Sequence, residues 1–286
     1  MAQPAENITP LYGNVIVVEN FLQSEKPVTG KNRDFERKEA TNGSVEPIRS
    51  QEDIQRIANY FLEKREYRNW CLFIIGINCG LRISDLVRMR ISDVAFPVYN
   101  GNYITGFTAK DVGTTIRIKP KKTARKNKYV YIKINSTMKA AIQKYLDMTG
   151  QRGFCYYTYF VEKGWLFPTV KSSNVSSKRT QEFAKEQGDP IDEDSVGKIM
   201  RRVQKDLKLN YSLGTHSLRK TFGYRFFRQN QSAGKQEFAL AALQEIFQHS
   251  SQKTTLGYIG ISKDEINSML ESYDCGLELS DIDGGV

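Results

Sequence analysis

Most of this 286-residue chain spaces its apolar side chains three or four positions apart, but from Thr114 to Ile134 they alternate. Ile54, Ile57, Ala58, Phe61 and Leu62 fall at i, i+3, i+4, i+7 and i+8, one stripe of a helix. In TTIRIKP and KYVYIKI the sets Ile116/Ile118 and Val130/Ile132/Ile134 repeat every second residue, as on one face of a strand. This change of period restricts the chain to a mixed α+β class, mainly helical, with a small antiparallel sheet. The link KKTARKN makes a basic hairpin tip.

Local signals place the helices. Ser50 and Asp53 resemble a capping box at the start of the first. A second covers roughly Trp70 to Asn78 and stops at Gly80, and Ser84 is placed to cap a third through Met89. Further helices fit 136–148, 192–208, 215–228 and 238–248. SKDE, Ser262 to Glu265, reads as a capping box opening a last helix, with Ile266, Met269, Leu270 and Tyr273 on one face. No internal repeat is visible. The parse is an N-terminal extension (1–46), one large domain (47–272) and an acidic tail (273–286).

The extension is polar and charged around SEKPVTGKNRDFERKEATNGS. Its TGK is not a phosphate loop, because Glu25 stands where the first glycine belongs. No apolar run approaches the roughly 18 residues of a membrane span, and no basic segment precedes the short apolar stretch near the N-terminus. The expected compartment is the cytoplasm, with no membrane partner. Cys71, Cys79, Cys155 and Cys275 include no CxxC pair, so neither a disulfide framework nor a thiolate zinc site is expected.

Net charge is +10, which favours a polyanionic partner, nucleic acid first among them. Its distribution is more informative. Val112 to Lys133 holds eight Lys or Arg and no acid, whereas Glu271 to Val286 holds five acids and no base.

The chemistry concentrates around two histidines, the only two in the chain. His216 and Arg219, in GTHSLRKTFGYRFF, share one face of a helix, beside an apolar stripe of Leu218, Phe222 and Phe226. His249, in FQHSSQKTTLGYIGIS, follows an apolar helix, and Tyr258 stands nine residues later. Arg82 follows Gly80 and Leu81 at a junction between buried segments. A charge there needs a partner, and Asp85 is one candidate.

These motifs together resemble the tyrosine recombinases, the phage-type integrases. GLRISDLVRMRISDV is similar to that family's first arginine box, KKT to its hairpin lysine, THSLRKTFG to its HxxR box and HSSQKTTLGY to its second histidine and nucleophile. WLFP, Trp165 to Pro168, resembles the segment before the HxxR box. The match runs from about 48 to 272. The resemblance implies the DNA breaking-rejoining catalytic fold and places the family's roles on Arg82, Lys122, His216, Arg219, His249 and Tyr258. Lys119, Lys121, Lys126 and Lys128 crowd the same hairpin, and the KT pair favours Lys122.

The implied reaction cuts and rejoins DNA strands through a covalent 3′-phosphotyrosine, with no cofactor, metal or ATP. The implied partners are duplex DNA at a specific recombination site, a homotetramer on two duplexes, and accessory DNA-bending or directionality proteins. The chain departs from the family in three places. Gln248 replaces a usual glycine, RQNQSAGKQEF looks inserted, and only about 46 residues precede the catalytic region, too few for a core-binding bundle. The last suggests a compact member, such as the fimbrial-switch invertases, or a truncated integrase. The acidic tail is a candidate for exchange between protomers. The alternatives are an inactive DNA-binding regulator on the same fold and a type IB topoisomerase.

Overall fold

The computed structural model describes residues 45–121, 129–150, 164–169 and 190–273. An extended lead-in enters α1 (Gln51–Glu63), where the Ser50 hydroxyl accepts from the Asp53 amide at 3.2 Å. That bond satisfies one of the open N–H groups of the first turn. Ile54, Ile57, Ala58 and Phe61 are buried, as their spacing predicts, and α1 packs on α2 (Tyr67–Cys79). Helix α2 ends at Gly80, whose φ of +63° is left-handed and whose missing Cβ would lie 2.3 Å from Phe222 Cδ1. Both facts require glycine there.

The next helix differs from expectation. α3 (Ile83–Leu86) is a single turn with Arg82 at its N-cap and no side-chain cap bond, so Ser84 lies inside it rather than before it. α4 (Ile91–Val94) follows, with the Asp93 carboxylate accepting from the Arg90 amide at 2.7 Å.

Among the described residues, two separate antiparallel pairs make up the sheet structure. β1 (Ala95–Asn100) and β2 (Tyr103–Ala109) form a bulged hairpin that packs on α5 (Ser136–Gly150). The sequence reading missed this pair, because Pro97, Gly101 and Gly106 interrupt any alternation. β3 (Thr115–Ile118) and β4 (Val130–Lys133) pair as expected, with Ile116 opposite Ile132 and Ile118 opposite Val130.

The remaining described helices are α6 (Glu193–Asp206), α7 (Thr215–Ser232), α8 (Gln236–Phe247), α9 (Gln252–Ile259) and α10 (Ile261–Ser272). α10 starts after the left-handed Gly260 without a side-chain cap, so the SKDE segment lies within the helix.

Among the described residues, buried apolar side chains form two clusters. The larger joins α1, α2, the inner residues of β3 and β4, α5 and α6; the smaller joins α7, α8, α9 and the start of α10. Helix α7 belongs to both, giving Leu218 to the first and Phe227 to the second. Its fit is tight, since a Cβ on Gly223 would sit 2.5 Å from Ile259 Cγ2 and 2.8 Å from Phe247 Cζ. Gly223→Ala should therefore cost a net ~1–2 kcal/mol, the overpacking outweighing alanine's better helix propensity. The readout is a lower denaturant midpoint at unchanged slope. An unchanged midpoint would contradict this packing of α7 against α8 and α9.

Candidate active site

Arg219 projects from α7 between the two clusters and is only 4% exposed. Its Nη1 donates to the Gly80 carbonyl and its Nη2 to the Phe247 carbonyl at 3.0 Å. The guanidinium also lies 4.2 Å over the Phe247 ring. Arg82, at the N-cap of α3, reaches the same Phe247 carbonyl through Nη2 at 3.2 Å. One backbone oxygen at the end of α8 thus accepts from both guanidiniums.

Among the described residues neither guanidinium forms an ion pair with a carboxylate. Burial, and then the Arg82 charge, bring the Arg219 pKa down to about 10, which leaves it cationic at neutral pH. The result is a cradle of two positive charges held by neutral carbonyls. Its chemistry suits an anion with several acceptor oxygens.

Tyr258 comes into this cradle from α9. Its hydroxyl is 3.1 Å from His216 Nδ1, and its ring meets His249 edge-on at 5.0 Å between centroids and Phe247 at 5.4 Å. Burial raises the phenol pKa, while Arg219, by charge and hydrogen bond, and Arg82 pull it down. His216 lies on the exposed rim, at the start of α7. Lost hydration, then the charges of Arg219, Lys220 and Arg82, lower its pKa against a smaller opposing effect of Glu193. The imidazole is therefore neutral at pH 7 and able to accept a proton.

His249 is lowered in the same direction by burial, Arg219 and Arg82. Its Nδ1 contacts Thr255 Oγ1 at 3.2 Å, and that hydroxyl is also 3.2 Å from the Ser251 carbonyl. The single hydroxyl proton serves only one of them. When it goes to Nδ1, the ring proton sits on Nε2 and can be donated to a ligand.

Five of the six residues expected from the sequence come together in this way: Arg82, His216, Arg219, His249 and Tyr258. Lys122 lies outside the described residues. Its neighbour Lys121 donates its amide to Asp85 Oδ1 at 2.8 Å, and Asp85 is 4% exposed. Asp85 therefore holds the start of the link that follows β3 rather than forming an ion pair with Arg82. The sequence reading missed this anchor, along with Thr255, the Phe247 carbonyl and Lys220. A backbone carbonyl carries no sequence signal, and Asp85 and Lys220 were visible only as charges beside boxed residues.

Gln248 terminates α8 in the left-handed region, at φ 56°. This is the position where a glycine is usual among the chains it resembles, and the backbone gives the reason. The turn directs His249 toward Tyr258, and glutamine adopts it at a steric cost. Elsewhere Cys71 and Cys79 are buried free thiols, and burial pushes Cys79 up to about 12. Cys155 and Cys275 lie outside the described residues. No helix among the described residues is long and apolar enough to cross a membrane.

A mostly helical frame with a β-hairpin at the site, an arginine at the α2–α3 junction and an HxxR helix facing a tyrosine is the tyrosine recombinase catalytic fold. Comparison with known proteins agrees. The model of the Phage integrase family matches residues 49–265, and the chain belongs to that family. It is 32% identical over 221 residues to a probable integrase/recombinase, YoeC, of Bacillus subtilis (strain 168), covering 77% of this chain and 92% of that one. Among solved structures it resembles the XerH site-specific recombinase in its post-cleavage complex with palindromic difH substrate. That match has a TM-score of 0.51 and 17% identity, and covers 80% of this chain and 54% of XerH. It also resembles XerA recombinase, with a TM-score of 0.50 and 17% identity over 81% of this chain and 66% of XerA. The matched region thus spans between half and two thirds of those two recombinases.

The depressed histidines set a pH dependence. As pH falls through about 6.5, the unfolded chain takes up protons that the native imidazoles still refuse, so native stability declines. The decline continues until the native imidazoles titrate. The melting temperature should drop between pH 7 and pH 5, and His216→Asn/His249→Asn should flatten that drop. Equal slopes would contradict the lowered values. Independently, Gln248→Gly should raise stability by ~1 kcal/mol in chemical denaturation by relieving the left-handed turn.

Proposed function

We propose that this protein is a site-specific DNA recombinase that cuts and rejoins strands through a covalent 3′-phosphotyrosine. The observation that carries the reading is the Tyr258 hydroxyl, 3.1 Å from a neutral imidazole and beside two guanidiniums joined on one carbonyl. Arg82 and Arg219 grip non-bridging oxygens of the scissile phosphate and stabilise the charge of its pentavalent transition state. His249 donates to one of the same oxygens.

Tyr258 Oη attacks the phosphorus and its proton passes to His216 Nδ1. The P–O5′ bond breaks, and the departing 5′ oxygen takes a proton from Lys122 on the hairpin that Asp85 anchors. The phosphotyrosine ester conserves the bond, so a 5′ hydroxyl from another strand can displace Tyr258 without ATP. No step calls for a metal or cofactor.

Duplex DNA at a defined recombination site is the substrate, gripped in part by the eight basic residues between Val112 and Lys133. A homotetramer on two duplexes would allow exchange, with the tail after Tyr273 passed between neighbours and accessory proteins setting direction. The 32% identity to a probable integrase/recombinase supports this reading over the topoisomerase and regulator alternatives.

A nicked duplex bearing the cognate site, selected from random sequence, tests the proposal by trapping the covalent adduct on a denaturing gel. Wild type should form it, Tyr258→Phe should not, and Arg219→Lys should slow it by about 10²-fold or more. Site-specific binding without an adduct would leave the regulator. Relaxation of any supercoiled plasmid, regardless of site, would leave the topoisomerase.

A further inference from the structure

Lys220 follows Arg219 on α7 and stands one helical turn beyond His216, on the same side. Its ammonium lies 5.3 Å over the Tyr258 ring. The same Nζ donates to the Val45 carbonyl at 2.8 Å, so the charge is held rather than left to sweep through solvent.

Val45 opens a lead-in that is itself tied to α7 and to the turn after Tyr258. The Glu46 amide donates to the Ser212 carbonyl, and the Ile48 amide donates to Thr221 Oγ1 at 2.8 Å with Ile48 fully buried. Arg49 pairs with Glu46 at 2.7 Å, and its Nη2 would lie 3.1 Å from a Cβ on Gly260, two residues after Tyr258. Val45 Cγ1 would lie 2.7 Å from a Cβ on Gly214, at the start of α7. The lead-in is thus a strap across the nucleophile's surroundings, and Lys220 is the side chain through which it touches Tyr258.

We propose that Lys220, fixed by the Val45 carbonyl, is a positioning residue for Tyr258: its ammonium against the ring holds the phenol's orientation and favours the phenolate as the proton leaves. A cation over an aromatic face is attracted by the ring, and the attraction grows when the ring carries negative charge. The strap thereby couples the segment preceding the catalytic region to the readiness of the nucleophile. This rests on the reading of Tyr258 as nucleophile.

Tyr258 is faced by His216, Arg219 and Lys220 from α7, by Arg82 from the α2–α3 junction and by His249 from the loop before α9. Glu193 of α6 acts on His216. Arg219, its pKa brought down to about 10, stays charged through neutral and mildly alkaline pH, and neutralising Lys220 also lifts His216 slightly, which moves the acid limb of a pH profile. Between the acid limb and the titration of Arg219 near 10, the profile reports the effect on Tyr258.

The test pairs a reaction with a spectroscopic titration. In Lys220→Met, adduct formation on the nicked duplex should slow by about three- to tenfold at pH 7, the deficit closing as pH rises. Lys220→Arg should recover most of the rate. Protein labelled with difluorotyrosine, whose lower pKa keeps the titration within the range of the folded state, is followed by 19F NMR, with Tyr258 assigned by its absence in Tyr258→Phe. Its midpoint should move upward in Lys220→Met. Gly214→Ala keeps the ammonium but crowds Val45, and should move the midpoint the same way by less, which tests the strap even if the Met variant fails to fold. A deficit equal at every pH, with an unmoved Tyr258 midpoint, would overturn the proposal. If wild type forms no adduct on any duplex while the midpoint still moves, the nucleophile reading fails and the hold of Lys220 on Tyr258 stands.

Discussion

The arrangement turns on one buried cation. Arg219 bonds the carbonyl that closes α2 and the carbonyl that closes α8, and so joins the two apolar clusters of the protein at their seam. Charge-assisted bonds to neutral groups contribute about 1.5–3 kcal/mol each. Taking a guanidinium out of water costs several kcal/mol even after relaxation. Two such bonds roughly offset the loss of hydration and leave little surplus. Joining the halves through a charge is therefore no gain over an apolar contact of the same size. What the charge adds is a positive site, doubled by Arg82 on the same carbonyl and, among the described residues, not closed by an ion pair with a carboxylate.

Several features of the site follow from accommodating that cation. Gly80 must be glycine both for its left-handed turn and because Phe222 fills the space where a side chain would go. Phe247 is held under the guanidinium, and its carbonyl points back at Arg219 because α8 ends there. The left-handed Gln248 then turns the chain so that His249 meets Tyr258. The turn, the aromatic floor and the second histidine are consequences of how α8 stops.

This explains which parts of the site were legible in the sequence. His216, Arg219, His249 and Tyr258 could be read because helical spacing fixes which side chains share a face, and because the chain spends both of its histidines there. The helix stripe of Ile54 to Phe61 and the alternation of Ile116 and Ile132 were legible for the same reason: burial selects side-chain type at a fixed period. Caps were less legible. Ser84 and Ser262 both sit in good capping sequences, yet in each case the helix starts earlier, after Arg82 and after Gly260, with no side-chain cap. Asp85 looked like a partner for Arg82, since the two are neighbours on a helical turn. It instead binds the Lys121 amide 36 positions away, a long-range contact that no local pattern encodes.

On the proposed reading, the same electrostatics give the anion a part in the proton transfer. Arg219 and Arg82 act oppositely on the two partners of the 3.1 Å bond: they favour phenolate on Tyr258 and disfavour imidazolium on His216. The first effect helps a proton leave the phenol and the second hinders its arrival on the imidazole. A phosphodiester between the guanidiniums neutralises part of their field. That removes some of the help to the phenol and, equally, some of the penalty on His216, so the anion shifts both pKa values upward together. The gain depends on which group it lies closer to. His216 sits on the exposed rim, where flanking phosphates of a duplex raise its pKa further and the water they displace lowers it, so the imidazole gains more than the phenol when the phosphate charges outweigh the lost hydration. Under that condition docked DNA favours His216 as acceptor, whereas in the free protein burial works to keep the phenol protonated. Lys220 acts on the other side of this balance, because its charge is held by the lead-in rather than by the anion and remains against the Tyr258 ring when the cradle is filled.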